Sequence, residues 1–262
     1  MAVMRRRGVQ ALAVALGLVL AGCVSTSTLP PAPVSEKEAA QYNMELGISY
    51  LRQGDLKTAQ ARLEKAVSQD SSLATAYRAL GLVYERMDDI PAAEKNYRRS
   101  LALAPGDPDT LNAMAAFLCL RKQETGEAMR YFDKALAVPE SQSTSNRAML
   151  LTNAGICAKR IDLGRAEGYL RGALAADPGY TAALLQLADV AYERGHLLQA
   201  RAFLERYLAD GRATPDVLWL GYRVEKSLGQ AAAAGSYAER LKKEFPMSAE
   251  AGELLEAERH GG

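Results

Sequence analysis

Histidine is nearly missing from this chain of 262 residues, which has two, His196 and His260. A metal centre needs several His, Cys or carboxylate ligands at set spacing, and no such group is visible in the sequence. Neither H-E-x-x-H, G-x-S-x-G nor a Gly-rich phosphate loop occurs, so the usual hydrolytic and nucleotide-handling motifs are lacking. Carboxylates such as Asp88, Asp89 and Asp107 fall at expected turns and helix caps, where they accept backbone N–H bonds. The sequence therefore reads as a non-enzyme without metal, cofactor or small-molecule substrate.

Aromatic residues make up only 6% of the chain, although 48% is hydrophobic. A sandwich or barrel would want more aromatic and β-branched residues in alternating runs. Frequent Ala and Leu suit closely stacked helices instead. Strong charge is also missing: the net value is +1. A near-neutral chain lacks the basic field that nonspecific nucleic-acid binding requires.

No apolar run is long enough to span a bilayer, which takes roughly 20 residues. The longest, residues 9–21, follows Arg5, Arg6 and Arg7 and precedes Ala21, Gly22 and Cys23. A basic start, a short apolar core and small residues at the junction describe a cleaved signal peptide over residues 1–22. An uncleaved N-terminal anchor is the alternative. Leu20-Ala21-Gly22-Cys23 resembles the bacterial lipobox, which implies that Cys23 becomes the acylated N-terminus. Removing the leader leaves a net charge of −2. Several acyl chains hold a protein almost permanently, where one alone binds marginally. Val24 replaces the Asp that tends to retain such lipoproteins in the inner membrane, so the expected location is the periplasmic face of the outer membrane. Residues 23–39 form the lipidated terminus and a tether. Its Val24–Ser35 stretch contains three prolines and no apolar periodicity, and extends to on the order of 35–40 Å.

Residues 40–258 carry a repeat of 34 residues, clearest over residues 74–107. There Tyr77, Leu80, Gly81, Tyr84, Ala93, Tyr97 and Pro105 match the tetratricopeptide pattern. Gly81 lets a second helix approach closely, Ala93 is its small counterpart, and Pro105 ends that helix. One period earlier stand Leu46, Gly47, Tyr50, Ala59 and Leu63. One period later stand Leu111, Met114, Ala115 and Leu118, after which the second helix runs one residue late through Ala128, Phe132 and Ala135. A polar insertion follows Pro139. The fourth repeat has Leu151, Ala154, Gly155, Ala166 and Leu170, with its inter-helix turn open by one residue. The fifth has Leu184, Leu187, Ala188, Ala200 and Leu204. The sixth has Leu220, Gly221, Val224, Ala233, Tyr237 and Pro246. Residues 247–258 form an amphipathic cap, as an open solenoid end requires. The expected fold is all-α, a right-handed superhelix of about six tetratricopeptide repeats with a C-terminal capping helix.

Such repeats serve many partners, so fold alone does not name a function. First helices line the concave side of a tetratricopeptide superhelix. The groove positions expected in the first three repeats are Gln41, Met44, Ile48, Leu51, Arg78, Leu82, Glu85 and Asn112. Met44, Ile48, Leu51 and Leu82 are large and apolar where a solvated groove should be polar, which marks a partner site unless the tether covers them. A carboxylate clamp is not expected, because no Lys joins Asn112 and Arg78. Trp219, the single tryptophan, is expected in core or inter-repeat packing. Cys119 and Cys157 lie near corresponding places on neighbouring first helices. Facing Cα atoms there approach to roughly 4–5.5 Å, so a disulfide is expected in an oxidising compartment, with two buried free thiols as the alternative.

Lipobox, Pro-rich tether, six repeats, the segment Ala116–Cys119, a second cysteine one repeat later and the ending Phe245–Ala251 occur together. This combination resembles the type IV pilus biogenesis and stability lipoproteins, the pilotins of the pilus secretin. The resemblance implies a scaffold that helps secretin subunits reach the outer membrane and multimerise, with secretin as its protein partner and the bilayer reached through the N-terminal lipid. The competing resemblance is to a repeat lipoprotein of the outer-membrane protein assembly machinery, where repeats tend to be longer and less regular. A repeat lipoprotein that recruits peptidoglycan enzymes is the third.

Overall fold

A computed structural model describes residues 35–139, 146–210 and 212–260 of the chain. The signal peptide, Cys23, nearly all of the tether and most of the polar insertion lie outside these residues. Thirteen α-helices and no strands occur among the described residues. Twelve form six antiparallel pairs: α1 (Glu36–Gln53) with α2 (Leu56–Gln69), α3 (Ala74–Arg86) with α4 (Ile90–Leu103), and α5 (Pro108–Leu120) with α6 (Thr125–Leu136). There follow α7 (Arg147–Ala158) with α8 (Leu163–Ala176), α9 (Thr181–Glu193) with α10 (Leu197–Asp210), and α11 (Pro215–Ser227) with α12 (Ala231–Glu244). The last helix, α13 (Ala249–His260), packs on α11 and α12. Each pair contacts the next, and each first helix also touches the first helix of the following repeat. This is the tetratricopeptide solenoid read from the sequence.

The helix starts follow from local chemistry. Asp55, Asp89, Asp107 and Asn146 each accept the N–H three residues on, and Asp162 accepts those of Gly164 and Arg165. A cap of this kind contributes about 1 kcal/mol by satisfying donors that lack an intrahelical partner. Pro91, Pro108 and Pro215 stand in first turns, where a missing N–H costs nothing.

Inside each pair the repeat's small residue meets a large one. Tyr97 packs over Gly81, Leu63 over Gly47, Leu170 over Gly155 and Tyr237 over Gly221. The third repeat has Ala115 at this place, fully buried as is Phe132. Its one-residue delay arises in the turn, where Arg121–Glu124 replaces the three-residue Met87–Asp89. The residue before the second helix's cap has positive φ in both, at Gln123 and Asp88. The fourth repeat's turn is Lys159–Asp162, without a positive-φ residue.

Two boundaries differ from the sequence reading. Helix α1 starts at Glu36, inside the segment expected as tether, and its first buried residue is Ala40. In the sixth repeat Ala234, rather than Ala233, is buried, together with Ala238 and Leu241. These pack with Ala251 and Leu254 of α13, while Tyr237 keeps the repeat's register over Gly221.

Candidate partner groove

Four first helices, α1, α3, α5 and α7, supply all but one of the side chains lining a groove of about 480 Å³. Its apolar wall includes Ile48, Leu51, Leu82, Ala116, Leu120 and Met149. Its polar positions include Arg78, Glu85, Asp109, Asn112 and Asn153. Ile48 is half-buried; Leu82, Leu120 and Met149 are 36%, 49% and 36% exposed. Large apolar side chains held at that exposure retain surface that a partner can remove from water.

Of the groove residues read from the sequence, Ile48, Leu51, Arg78, Leu82, Glu85 and Asn112 come together here. Three expectations are corrected. Met44 does not line the groove: it is 7% exposed, within the cluster that Leu63, Ala66, Ala76 and Leu80 build between α1, α2 and α3. Leu51 reaches the groove but is likewise buried, so it supplies floor and little free surface. Gln41 lies on the exposed side of α1 and donates to Glu45. Sequence reasoning did not find Leu120, Met149 and Asn153. Ala116 stands one period after Leu82, a signal that was legible.

Polar contacts fix the groove's shape. Arg78 pairs with Asp109 at 3.4 Å across α3 and α5. Asn153 donates to Asn112 at 3.1 Å across α5 and α7. Arg86 donates to the Leu51 carbonyl at 3.2 Å. From α4, Tyr97 donates its hydroxyl to Glu85 at 2.8 Å. Burial, and then the Glu85 carboxylate, push the Tyr97 phenol far up, so it stays a neutral donor.

Cys119 and Cys157 are joined, with Cα atoms 6.0 Å apart, tying α5 to α7. Both are 1% exposed and belong to the largest core cluster, with Phe117, Leu118 and Phe132. The bridge holds the two helices that carry Leu120 and Met149, and so sets the width of that end of the groove.

A second groove of about 320 Å³ lies farther along the first helices, on α9, α11 and α13. Trp219 forms part of its wall: it is half-buried, packs against the cluster shared by α11, α12 and α13 in keeping with the expected inter-repeat packing, and stacks on Tyr222 at 5.4 Å. Arg223 lies over Tyr192, 4.5 Å from the ring centre, and 6.0 Å from that of Trp219. His196 is exposed in the turn before α10. Among the described residues no three His, Cys, Asp or Glu side chains are grouped to hold a metal, and no helix is long and apolar enough to cross a membrane.

Residues 38–106 and 161–218 match the tetratricopeptide repeat family. The chain is 31% identical to PilW, described as a widely conserved type IV pilus biogenesis factor, whose crystal structure superposes with a TM-score of 0.76 over 82% of this chain and 98% of that one. The chain belongs to the PilF/PilW family. The type IV pilus assembly protein PilF of Pseudomonas aeruginosa is 27% identical over 243 residues, 92% of this chain and 95% of its relative. A Pseudomonas aeruginosa PilF structure has a TM-score of 0.73 at 26% identity, covering 84% of this chain and 98% of that one. Membership in the PilF/PilW family supports a role in type IV pilus biogenesis. Tetratricopeptide proteins of this kind are scaffolds, which agrees with protein partners for the grooves.

Proposed function

We propose that this PilF/PilW relative is a pilotin: an outer-membrane lipoprotein, acylated at Cys23, that binds subunits of the pilus secretin and promotes their localisation and multimerisation. The observation that carries the proposal is the apolar groove of repeats one to four, with Ile48, Leu82, Leu120 and Met149 on its wall. A bound segment gains roughly 2.5 kcal/mol per 100 Å² of apolar surface removed from water, less its ordering cost. Anchoring at Cys23 would concentrate the groove at the membrane where the ring must form, which favours capture by raising effective concentration.

The test separates anchoring from docking. Cys23→Ser abolishes acylation and releases the protein from the membrane. Leu82→Asp, and Leu120→Asp beside it, leave acylation, location and helix content unchanged but reduce heat-resistant secretin multimers and surface pili. If deleting the gene leaves multimers and piliation intact, the pilotin assignment is wrong. Depletion of many outer-membrane barrel proteins, with pili affected only secondarily, would instead identify an assembly-machinery lipoprotein.

A further inference from the structure

The two grooves lie on one set of helices. Every first helix, from α1 to α13, touches the next, so a segment crossing them passes from the first groove into the second. Six steps of 8–10 Å between packed helices make a path on the order of 50 Å, some 15 extended residues.

The charges along that path are opposed. The first groove holds Arg52, Arg78 and Arg86 against Glu85 and Asp109. The second holds Asp189, Asp216, Glu250 and Glu253 against Arg223. Some of these are already engaged: Arg78 with Asp109, and Asp189 with Lys159. Among the described residues Arg52 makes no ion pair, and neither do Glu250 and Glu253. Uncommitted positive charge thus stands at the repeat-one end and uncommitted negative charge at the capping helix. Charge complementarity of this kind selects partners and fixes register more than it adds affinity. The apolar stretch between supplies the attraction, and Trp219 with Leu220 continues an apolar wall into the second groove.

We infer that the first-helix face takes a single amphipathic protein segment in one direction only, its acidic end beside Arg52 and its basic end beside Glu250 and Glu253. This rests on the reading of the first groove as the docking face. It adds the chemistry and polarity of what docks. Reversal would set carboxylates against Glu250 and Glu253 and cations against Arg52, a repulsive arrangement at both ends.

The test places a photo-crosslinking residue at Leu82 or at Gln186 in the full-length lipoprotein in cells, and identifies the captured peptides by mass spectrometry. One protein should be captured at both positions, with Asp and Glu flanking the crosslink from position 82 and Lys and Arg flanking that from position 186. Arg52→Glu should lower capture at position 82 about five-fold. Glu250→Lys with Glu253→Lys should do the same at position 186, the size expected for rim charges. The inference is overturned by different proteins at the two positions, by a second copy of this chain, or by peptides of reversed or unbiased charge. It is equally overturned if nothing is captured or the charge reversals have no effect. A captured protein other than the secretin, with the charge pattern intact, overturns the secretin reading alone.

Discussion

A Cβ built on Gly81 would stand 2.6 Å from two carbons of the Tyr97 ring. Non-bonded carbons do not approach so closely, so the first and second helices of repeat two cross at this distance only because residue 81 has no side chain. Gly81→Leu should therefore destabilise the protein by about 1–3 kcal/mol, the usual cost of overpacking. Gly106 has nothing within 4 Å of its built Cβ, so Gly106→Ala is the control and should leave stability nearly unchanged. Urea midpoints of the two variants check both statements, and an unshifted midpoint for Gly81→Leu would refute the crossing.

Gln123 adopts φ 58°, in the left-handed region, where the turns of repeats one, five and six have Gly54, Gly195 and Gly229. That conformation costs a residue with a Cβ roughly 1–2 kcal/mol, and the greater freedom of glycine in the unfolded chain takes back about 0.5–1 kcal/mol. Gln123→Gly should raise stability by about 0.5–1 kcal/mol, read as a higher urea midpoint. The converse change, Gly54→Ala at φ 82°, should lower it.

The bridge between Cys119 and Cys157 joins residues 38 apart in sequence. Constraining a loop of that length contributes on the order of 4 kcal/mol through the unfolded chain, and often less in practice. Non-reduced peptide maps of the native protein should show one intramolecular bond. Cys157→Ala should lower the melting temperature without loss of helix, and dithiothreitol should lower that of the parent but not of the variant. Two free thiols in the native protein would end this proposal.

Asp162 accepts N–H bonds from Arg165 and then Gly164, which hold its carboxyl below the ordinary 3.8. A depressed folded value means that its contribution is fully present above the unfolded value and is lost as pH falls through the folded one. Asp162→Asn keeps an acceptor but cannot titrate. The gap in urea midpoint between parent and variant should therefore narrow between about pH 6 and about pH 3. A gap independent of pH would show that the cap works without its charge.

How much of this was legible depends on how local the signal is. Gly81 and Tyr97 are 16 residues apart within one helical hairpin, and a fixed period repeats their relation at Gly47 and Gly221, so sequence suffices. Gln123 gives no such sign: its conformation is set by the hairpin around it, and a glycine there would have announced the turn. Met44 was misplaced because its burial depends on how α2 and α3 together close over α1. Leu120 and Met149 come from helix positions whose mutual approach depends on the path of the whole stack and on the bridge between α5 and α7. The lipidation site is a four-residue signal, but it lies outside the described residues and its reading remains a proposal.

The bridge has a mechanical consequence. Tension entering from the N-terminal side reaches α1 and α2 first, and among the described helices these pack on each other and on repeat two. Peeling proceeds pair by pair, because among the described residues the helix pairs pack on their immediate neighbours along the stack. At α5 it meets a covalent link to α7, embedded in the largest cluster of buried side chains. The solenoid thus behaves as two yielding ends on a locked middle. A pull should unravel the outer repeats as separate small events while the segment from α5 to α7 stays shut.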